Sequence, residues 1–273
     1  MKKKQFSYQD SNIFYRVTGT GKPVVLLHGF GEDGDIWANQ VEFLSAGSGE
    51  KDHYQLIIPD LPGSGKSELI TDMSIEGMAE CIKALIDFEF LSSSPTLRFS
   101  LIGHSMGGYI ALAFAEKHSA LLNSFGLVHS SAYADGEEKK EARRKSIEFI
   151  KTNGAYEFLK TAIPGLFYQP ENNKACEDLV KASKNFTAEA LIAYYTAMIN
   201  RPDRTAILKT FTQPILFVMG QYDKAVPFDQ SMQQSHLPNQ AHIHILRNSA
   251  HMGMWEEAEK TNEALLKFLE NIS

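Results

Sequence analysis

Ser105 sits at the centre of Gly103-His104-Ser105-Met106-Gly107, a G-x-S-x-G segment. A serine hydroxyl is a weak nucleophile at neutral pH. It attacks a carbonyl only when a base takes its proton and an acid holds that base in the right tautomer. Asp223 follows Gly220-Gln221-Tyr222, and His251 closes the run Arg247-Asn248-Ser249-Ala250. Taken singly, the first reads as a turn aspartate and the second as a helix-flanking histidine. Taken together with Ser105 they read as acid and base, in the chain order Ser, Asp, His, which differs from the chymotrypsin and subtilisin orders. Asp135 is the reserve candidate for the acid.

Acyl transfer also needs fixed donors for the negative charge that forms on the attacked oxygen. The turn His28-Gly29-Phe30-Gly31 suits that task, and the backbone N–H groups of Phe30 and Met106 are the expected donors. His28, His129 and Trp255 are candidates for lining the substrate pocket. No HxH, HxxxH or HExxH pair accompanies His28, His104 or His129, so no metal is expected. Pro62-Gly63-Ser64-Gly65-Lys66-Ser67 ends like a phosphate-binding loop, but that motif needs glycine where this chain has Asp60. Nucleotide binding is therefore not expected.

The elbow pattern means little without a strand before it and a helix after it. Residues 98–102 are a short apolar run and residues 108–118 are mostly helix formers, so both conditions hold. Further β-branched and aliphatic runs at 24–27, 55–58, 99–102, 125–128 and 215–219 read as strands buried on both faces. Another strand is expected at 242–246. Residues 75, 78, 79 and 82, and again 265, 268, 269 and 272, follow helical spacing. Alternation of strand and helix predicts a doubly wound α/β sheet, preceded by an antiparallel pair at 5–8 and 12–17. The candidate residues then fall where sites on open α/β sheets form, just beyond the carboxyl ends of strands.

The alternation stops after Ser131. Residues 133–209 read as consecutive helices inserted as a cap, leaving 1–132 and 210–273 as the core domain. The insertion holds 13 Lys+Arg and 11 Asp+Glu, a local balance of +2, whereas the rest carries 14 minus 22, or -8. Its aromatic residues, Phe158, Tyr194 and Tyr195 among them, read mostly as cap core. Arg143, Arg144, Arg201 and Arg204 read as solvated helix arginines, with pairing to a substrate carboxylate as the other possibility.

Composition narrows the class further. A chain of 273 residues with 43% hydrophobic content can bury one sizeable core. The net charge of -6, without a block of like charges, argues against a nucleic-acid partner. No apolar run approaches the roughly 18 residues needed to cross a bilayer. The basic start Lys2 to Lys4 is followed by polar residues, not an apolar signal segment. Cys81 and Cys176 lack ligand spacing and read as reduced thiols. A cytoplasmic protein with a small-molecule substrate is expected; its oligomeric state is left open.

These pieces together resemble the α/β-hydrolase superfamily. The likeness rests on His28-Gly29-Phe30-Gly31, Asp60 to Ser67, Gly103 to Gly108, Gly220 to Asp223 and Ala250-His251. It implies an eight-stranded, mostly parallel sheet, a helical cap after the sixth strand, a Ser-His-Asp triad and no cofactor. Haloalkane dehalogenases and epoxide hydrolases of that superfamily use an aspartate nucleophile, and Ser105 argues against both. Esterases, thioesterases, amidases, lipases, carbon-carbon bond hydrolases and lyase-like enzymes keep serine. Carbon-carbon bond hydrolases often place Trp directly after the catalytic histidine; here Met252 follows His251 and the tryptophan is Trp255. Non-catalytic small-molecule binders are built on the same scaffold. A carboxylesterase-like serine hydrolase is the principal expectation.

Overall fold

The computed structural model describes residues 1–46, 54–91, 97–171 and 173–272. Eight strands form one sheet: β1 Lys2–Tyr8, β2 Ser11–Thr18, β3 Lys22–Leu27, β4 Tyr54–Pro59, β5 Phe99–His104, β6 Leu122–Val128, β7 Ile215–Gly220 and β8 Ala241–Leu246. Their spatial order is β1-β2-β4-β3-β5-β6-β7-β8. β1 pairs with β2 and β2 with β4 antiparallel, while every pair from β4-β3 to β7-β8 is parallel. The expected hairpin is closed by Gln9 and Asp10, both at positive φ, as a two-residue turn matched to strand twist requires.

The central strands are apolar without alternation because helices cover both faces. Every residue of β5 and β7 is buried. β8, at the sheet edge, alternates instead and leaves Ile243 and Ile245 exposed. The flanking helices of the core are α1 Ala38–Ala46, α2 Ile75–Ile86 and α3 Met106–His118. Ser74 caps α2 by accepting from the Gly77 N–H. α3 is apolar all round, and Met106 through Ala115 are buried without interruption. That burial makes the helix after Ser105 a rigid post: truncating Phe114, which is fully buried, would cost about 3–5 kcal/mol.

Between β6 and β7 lie only helices among the described residues: α4 Glu137–Asn153, α5 Ala155–Ala162, α6 Lys174–Ala182, α7 Ala188–Asn200 and α8 Thr205–Thr210. α4 buries one residue of its seventeen, Ile150, and carries i,i+3 ion pairs such as Lys151–Glu148 on its outer face. α7 is anchored from below, since the Tyr194 hydroxyl donates to the Pro62 carbonyl at 2.6 Å and lies 2.7 Å from Ser64 Oγ. The core closes with α9 Phe228–Ser235, α10 Gly253–Glu256 and α11 Ala258–Glu270. No helix is long and apolar enough to cross a membrane among the described residues.

Arg201 and Arg204 correct the expectation of solvated arginines. Both are almost fully buried. Arg204 bridges Glu116 at 3.0 Å and also reaches Glu76, and its N–H donates to the Ala132 carbonyl. Their burial is tolerated because each guanidinium meets a carboxylate.

The loop 62–67 is a packing knot. Asp60 accepts from Arg16 Nη1 at 2.6 Å, from the Gly34 N–H at 3.0 Å and from the Lys66 N–H at 3.1 Å. Ser67 Oγ donates to the Asp60 carbonyl. The Asp60 side chain occupies the hollow of the turn, where a Cβ on Gly65 would lie 2.2 Å from its Oδ2.

Candidate active site

The parallel register brings the ends of β3, β5, β6, β7 and β8 to one edge of the sheet. Leu27 pairs with Gly103, His104 with Val128, Val128 with Val218 and Gly220 with Leu246. The chain leaves each of these strands at its carboxyl end and presents His28, Ser105, His129, Asp223 and His251 there.

Ser105 links β5 to α3 with φ 50 and ψ -115, a conformation that non-glycine residues rarely adopt. The turn is held shut. The Ser105 N–H donates to the Val128 carbonyl at 2.9 Å and Ser130 Oγ donates to the Ser105 carbonyl at 2.7 Å. Two glycines permit the sharpness: a Cβ on Gly103 would lie 2.3 Å from the Gly107 backbone, and one on Gly107 would lie 2.6 Å from the carbonyls of Leu27 and His28.

Ser105 Oγ stands 2.9 Å from His251 Nε2, and His251 Nδ1 stands 2.8 Å from Asp223 Oδ2. The other oxygen, Oδ1, accepts from the N–H groups of Ala225 and Val226 at 2.8 and 2.9 Å. Burial alone would raise the Asp223 carboxyl, but electrostatic attraction to His251 and hydrogen bonds from His129 and His251 hold it far below the usual carboxylate range. An ionised carboxylate only accepts, so Nδ1 of His251 carries a proton and Nε2 is left to accept from Ser105 Oγ. The histidine is fixed from above as well, its N–H donating to the Leu166 carbonyl at 2.9 Å. The three side chains are thus able to pass a proton from alcohol to imidazole with a fixed carboxylate behind it.

The turn after β3 lies against this line. A Cβ on Gly29 would sit 3.0 Å from Ser105 Cβ. Neither the Phe30 nor the Met106 N–H meets a protein acceptor among the described residues. His28 does not line the cavity: its Nδ1 donates to the Gly29 carbonyl and its Nε2 accepts from the Leu61 N–H, both at 2.8 Å, which shapes the turn from behind. Glu32 is the residue that sequence reasoning missed. Its Oε2 accepts from the Gly29 N–H at 2.7 Å and from His104 Nδ1 at 2.9 Å, while His104 Nε2 donates to the His251 carbonyl at 3.0 Å. Glutamates are common on surfaces, and nothing in the spacing marks Glu32 as buried.

Ser105 and His251 open into a cavity of ≈ 140 Å³. Its wall includes Phe30, Leu166, Met198 and Val226, with Glu32, Lys139 and Arg143 as charged members. His129 and Trp255 are not part of that wall. His129, in the left-handed region at φ 49, puts Nδ1 3.3 Å from Asp223 Oδ2 and leaves Nε2 without a partner among the described residues. Burial lowers its pKa to about 4. Trp255 Nε1 donates to the Ile36 carbonyl at 2.8 Å. The aromatic residues of the helical segment divide between roles: Tyr194 is buried, whereas Tyr195 lines the cavity and stacks on Phe30 with ring centres 4.3 Å apart. Asp135, the reserve acid, faces Arg143 and Arg201 and makes no contact with His251 among the described residues.

Ligating atoms of His129, Asp223 and His251 lie within 4.8 Å of one another, the one such group among the described residues. Both ring nitrogens of His251 are already hydrogen-bonded. A metal there would have to break the line from Ser105 to Asp223.

The chain resembles known proteins along most of its length. The sequence profile of the Alpha/beta hydrolase family matches residues 24–264. The chain is 28% identical to the 2-hydroxy-6-oxononadienedioate/2-hydroxy-6-oxononatrienedioate hydrolase of Paraburkholderia phymatum, over 94% of this chain and 90% of the relative. It is 25% identical to the 2-hydroxy-6-oxo-6-phenylhexa-2,4-dienoate hydrolase of Comamonas testosteroni, over 95% and 92% of the two chains. Among solved structures, the malate-bound thermophilic esterase of Thermogutta terrifontis superposes with a TM-score of 0.88 at 28% identity, covering 100% of this chain and 99% of the other. An eight-stranded sheet, a strained serine turn and a profile match across most of the sequence leave one assignment: the chain belongs to the Alpha/beta hydrolase family.

Proposed function

We propose that this protein is a serine hydrolase that cleaves a small-molecule carboxylic ester, or the related thioester or amide, through an acyl-enzyme on Ser105. The observation that carries the proposal is the unbroken line from Ser105 Oγ through His251 to Asp223, at 2.9 and 2.8 Å. As Ser105 Oγ bonds to the carbonyl carbon, its proton passes to His251 Nε2. The N–H groups of Phe30 and Met106 receive the oxyanion, and each such donor is worth about 2.7–4 kcal/mol of transition-state stabilisation. His251 then protonates the leaving group, and a water deprotonated by His251 releases the acid. Asp223 stays ionised and offsets the imidazolium charge.

Residues 133–209 serve as a cap over this centre, in support of which Leu166 holds the His251 N–H and Tyr195 closes the cavity. A cavity of about 150 Å³ holds one benzene, so the ≈ 140 Å³ here favours a short acyl chain or one ring. Two buried free thiols, Cys81 and Cys176, fit a reducing compartment such as the cytoplasm.

A second reading is carbon-carbon bond hydrolysis with the same three residues. It is favoured by the two relatives named above, a 2-hydroxy-6-oxononadienedioate/2-hydroxy-6-oxononatrienedioate hydrolase and a 2-hydroxy-6-oxo-6-phenylhexa-2,4-dienoate hydrolase. The test is labelling with a fluorophosphonate, followed by a panel of ester, thioester, amide, lactone and vinylogous diketone substrates on wild type and Ser105→Ala. Ester turnover lost in Ser105→Ala is the expected result. Diketone turnover far above that of aryl esters would move the assignment to carbon-carbon cleavage. Ligand-induced stabilisation without turnover of any substrate would make the chain a binder.

A further inference from the structure

The cavity above Ser105 has one charged wall, and its charge is unbalanced. Lys139 and Arg143 stand one helical turn apart on α4 and both line the cavity. With Arg201 from the end of α7 they converge on the single carboxylate of Asp135. Arg143 Nε lies 2.7 Å from Oδ2, Arg201 Nη2 lies 2.9 Å from Oδ1, and Lys139 Nζ lies 3.8 Å from Oδ1. Three cations against one anion leave an excess of two positive charges. The negative groups nearby cancel it only in part: Glu32 is paired with His104, and the single charge of the ionised Asp223 leaves one positive charge in excess.

The excess reaches the cavity. The Arg201 guanidinium carbon lies 3.9 Å from the centre of the Tyr109 ring, another cavity residue. Burial would raise the Tyr109 hydroxyl, yet the fields of Arg201, Lys139 and Arg143 lower it overall. Arg143 lies 5.4 Å from the centre of the Tyr195 ring, which stacks on Phe30 in the proposed oxyanion turn. Its Nη1 and Nη2 meet no acceptor among the described residues, since only Nε is engaged by Asp135. Lys139 Nζ donates to the Ala225 carbonyl at 2.7 Å, two residues beyond Asp223, so the cationic wall adjoins the acid loop. Arg143 lines the cavity with two guanidinium nitrogens uncommitted, and such a fork can take a planar carboxylate through two parallel hydrogen bonds.

We propose that the substrate carries a carboxylate besides the bond that is cut, and that Arg143, assisted by Lys139, binds it in the Ser105 cavity. This rests on the hydrolytic reading above and names its substrate class: an acidic ester, not a neutral one. Arg201 and Asp135 are positioning residues. Asp135 orients Arg143 through Nε, and Arg201 supplies the charge that keeps Asp135 from neutralising the site.

The experiment compares kcat/KM for 4-nitrophenyl pentanoate with two acidic esters, mono-4-nitrophenyl glutarate and 3-carboxy-4-nitrophenyl pentanoate, with Ser105→Ala as background. Wild type is expected to prefer at least one acidic ester by about tenfold or more, through a lower KM, with the preference shrinking as salt is raised. Arg143→Gln and Lys139→Gln are each expected to lower the ratio of acidic to neutral kcat/KM. Lys139→Gln matters because Arg143 also holds Asp135, so a folding defect in one variant leaves the other to decide. Turnover of the neutral ester without preference for either acidic one, or an unchanged ratio in both variants, overturns the proposal. A second readout does not depend on hydrolysis: glutarate is expected to raise the Tm of wild type and to raise it less in Arg143→Gln. If no ester is cleaved and Ser105 is not labelled, the hydrolytic reading fails while the glutarate shift still decides the anion site. Equal stabilisation of wild type and Arg143→Gln by glutarate, or stabilisation by inorganic phosphate alone, overturns the carboxylate assignment.

Discussion

Oε2 of Glu32 lies 2.9 Å from Nδ1 of His104, behind Ser105, and both residues are buried. Both ring nitrogens of His104 face acceptors, the Glu32 carboxylate and the His251 carbonyl, an environment that favours the doubly protonated ring. Burial opposes that charge, but Glu32 outweighs it and raises the His104 pKa. Glu32 is itself lowered, although burial alone would raise it, by the charge and hydrogen bond of His104. One buried ion pair therefore ties the turn after β3, the serine turn and the His251 loop together. Glu32→Ala is expected to destabilise the fold by about 3–5 kcal/mol, because it leaves a buried charge unpaired. Glu32→Gln keeps the shape and lets His104 become neutral. It is expected to lower kcat more than it raises KM, measured with an aryl ester alongside a urea melt.

Asp223 has a different task from Glu32. Replacing it by Asn removes the carboxylate that holds the proton on Nδ1 of His251, and the ring can then turn its protonated nitrogen toward Ser105. A loss of about 10⁴ in kcat is expected for Asp223→Asn. The Ala225 and Val226 N–H groups can still donate to the amide oxygen. Far-ultraviolet circular dichroism is therefore expected to be unchanged while ester turnover collapses.

Gly103 has no room for a methyl group, since the nearest obstacle is backbone at 2.3 Å and not a flexible side chain. Gly103→Ala is expected to open the turn between β5 and α3, lowering stability by about 1–3 kcal/mol, in line with overpacking of a tight site. Fluorophosphonate labelling of whatever folded fraction remains should be slowed relative to wild type.

His129 makes stability depend on pH in a definite direction. Burial holds its folded pKa at about 4, whereas an unfolded histidine titrates near 6.5. Between those values the unfolded chain binds a proton that the folded chain does not, so stability falls as pH drops from about 6.5 to about 4. The full loss is on the order of 3 kcal/mol. Asn tolerates the left-handed backbone at this position. His129→Asn is expected to flatten the decline of Tm over that window, and an unchanged slope would remove His129 as its source.

Much of the fold was legible because buried strands and amphipathic helices announce themselves locally. The runs at 24–27, 99–102 and 215–219 lie within β3, β5 and β7, and the spacing from residue 75 lies on α2. The serine turn was legible too, since Gly103, Ser105 and Gly107 fall at fixed offsets dictated by backbone clearance. Errors came where charge and burial meet. Arg201 and Arg204 looked solvated but are buried, because their carboxylate partners come from segments more than 60 residues away.

Sequence by itself determined the alternation of strand and helix, the serine turn and the chain order of Ser105, Asp223 and His251, because these depend on local backbone sterics and on connection rules. Only the tertiary structure decided which histidine meets Ser105, that Glu32 pairs with His104, that His28 and Trp255 face away from the cavity, and that Lys139 and Arg143 face into it. Those are contacts across tens to hundreds of residues. They follow from the register of parallel strands and from helix packing, neither of which leaves a trace in the neighbours of any one residue.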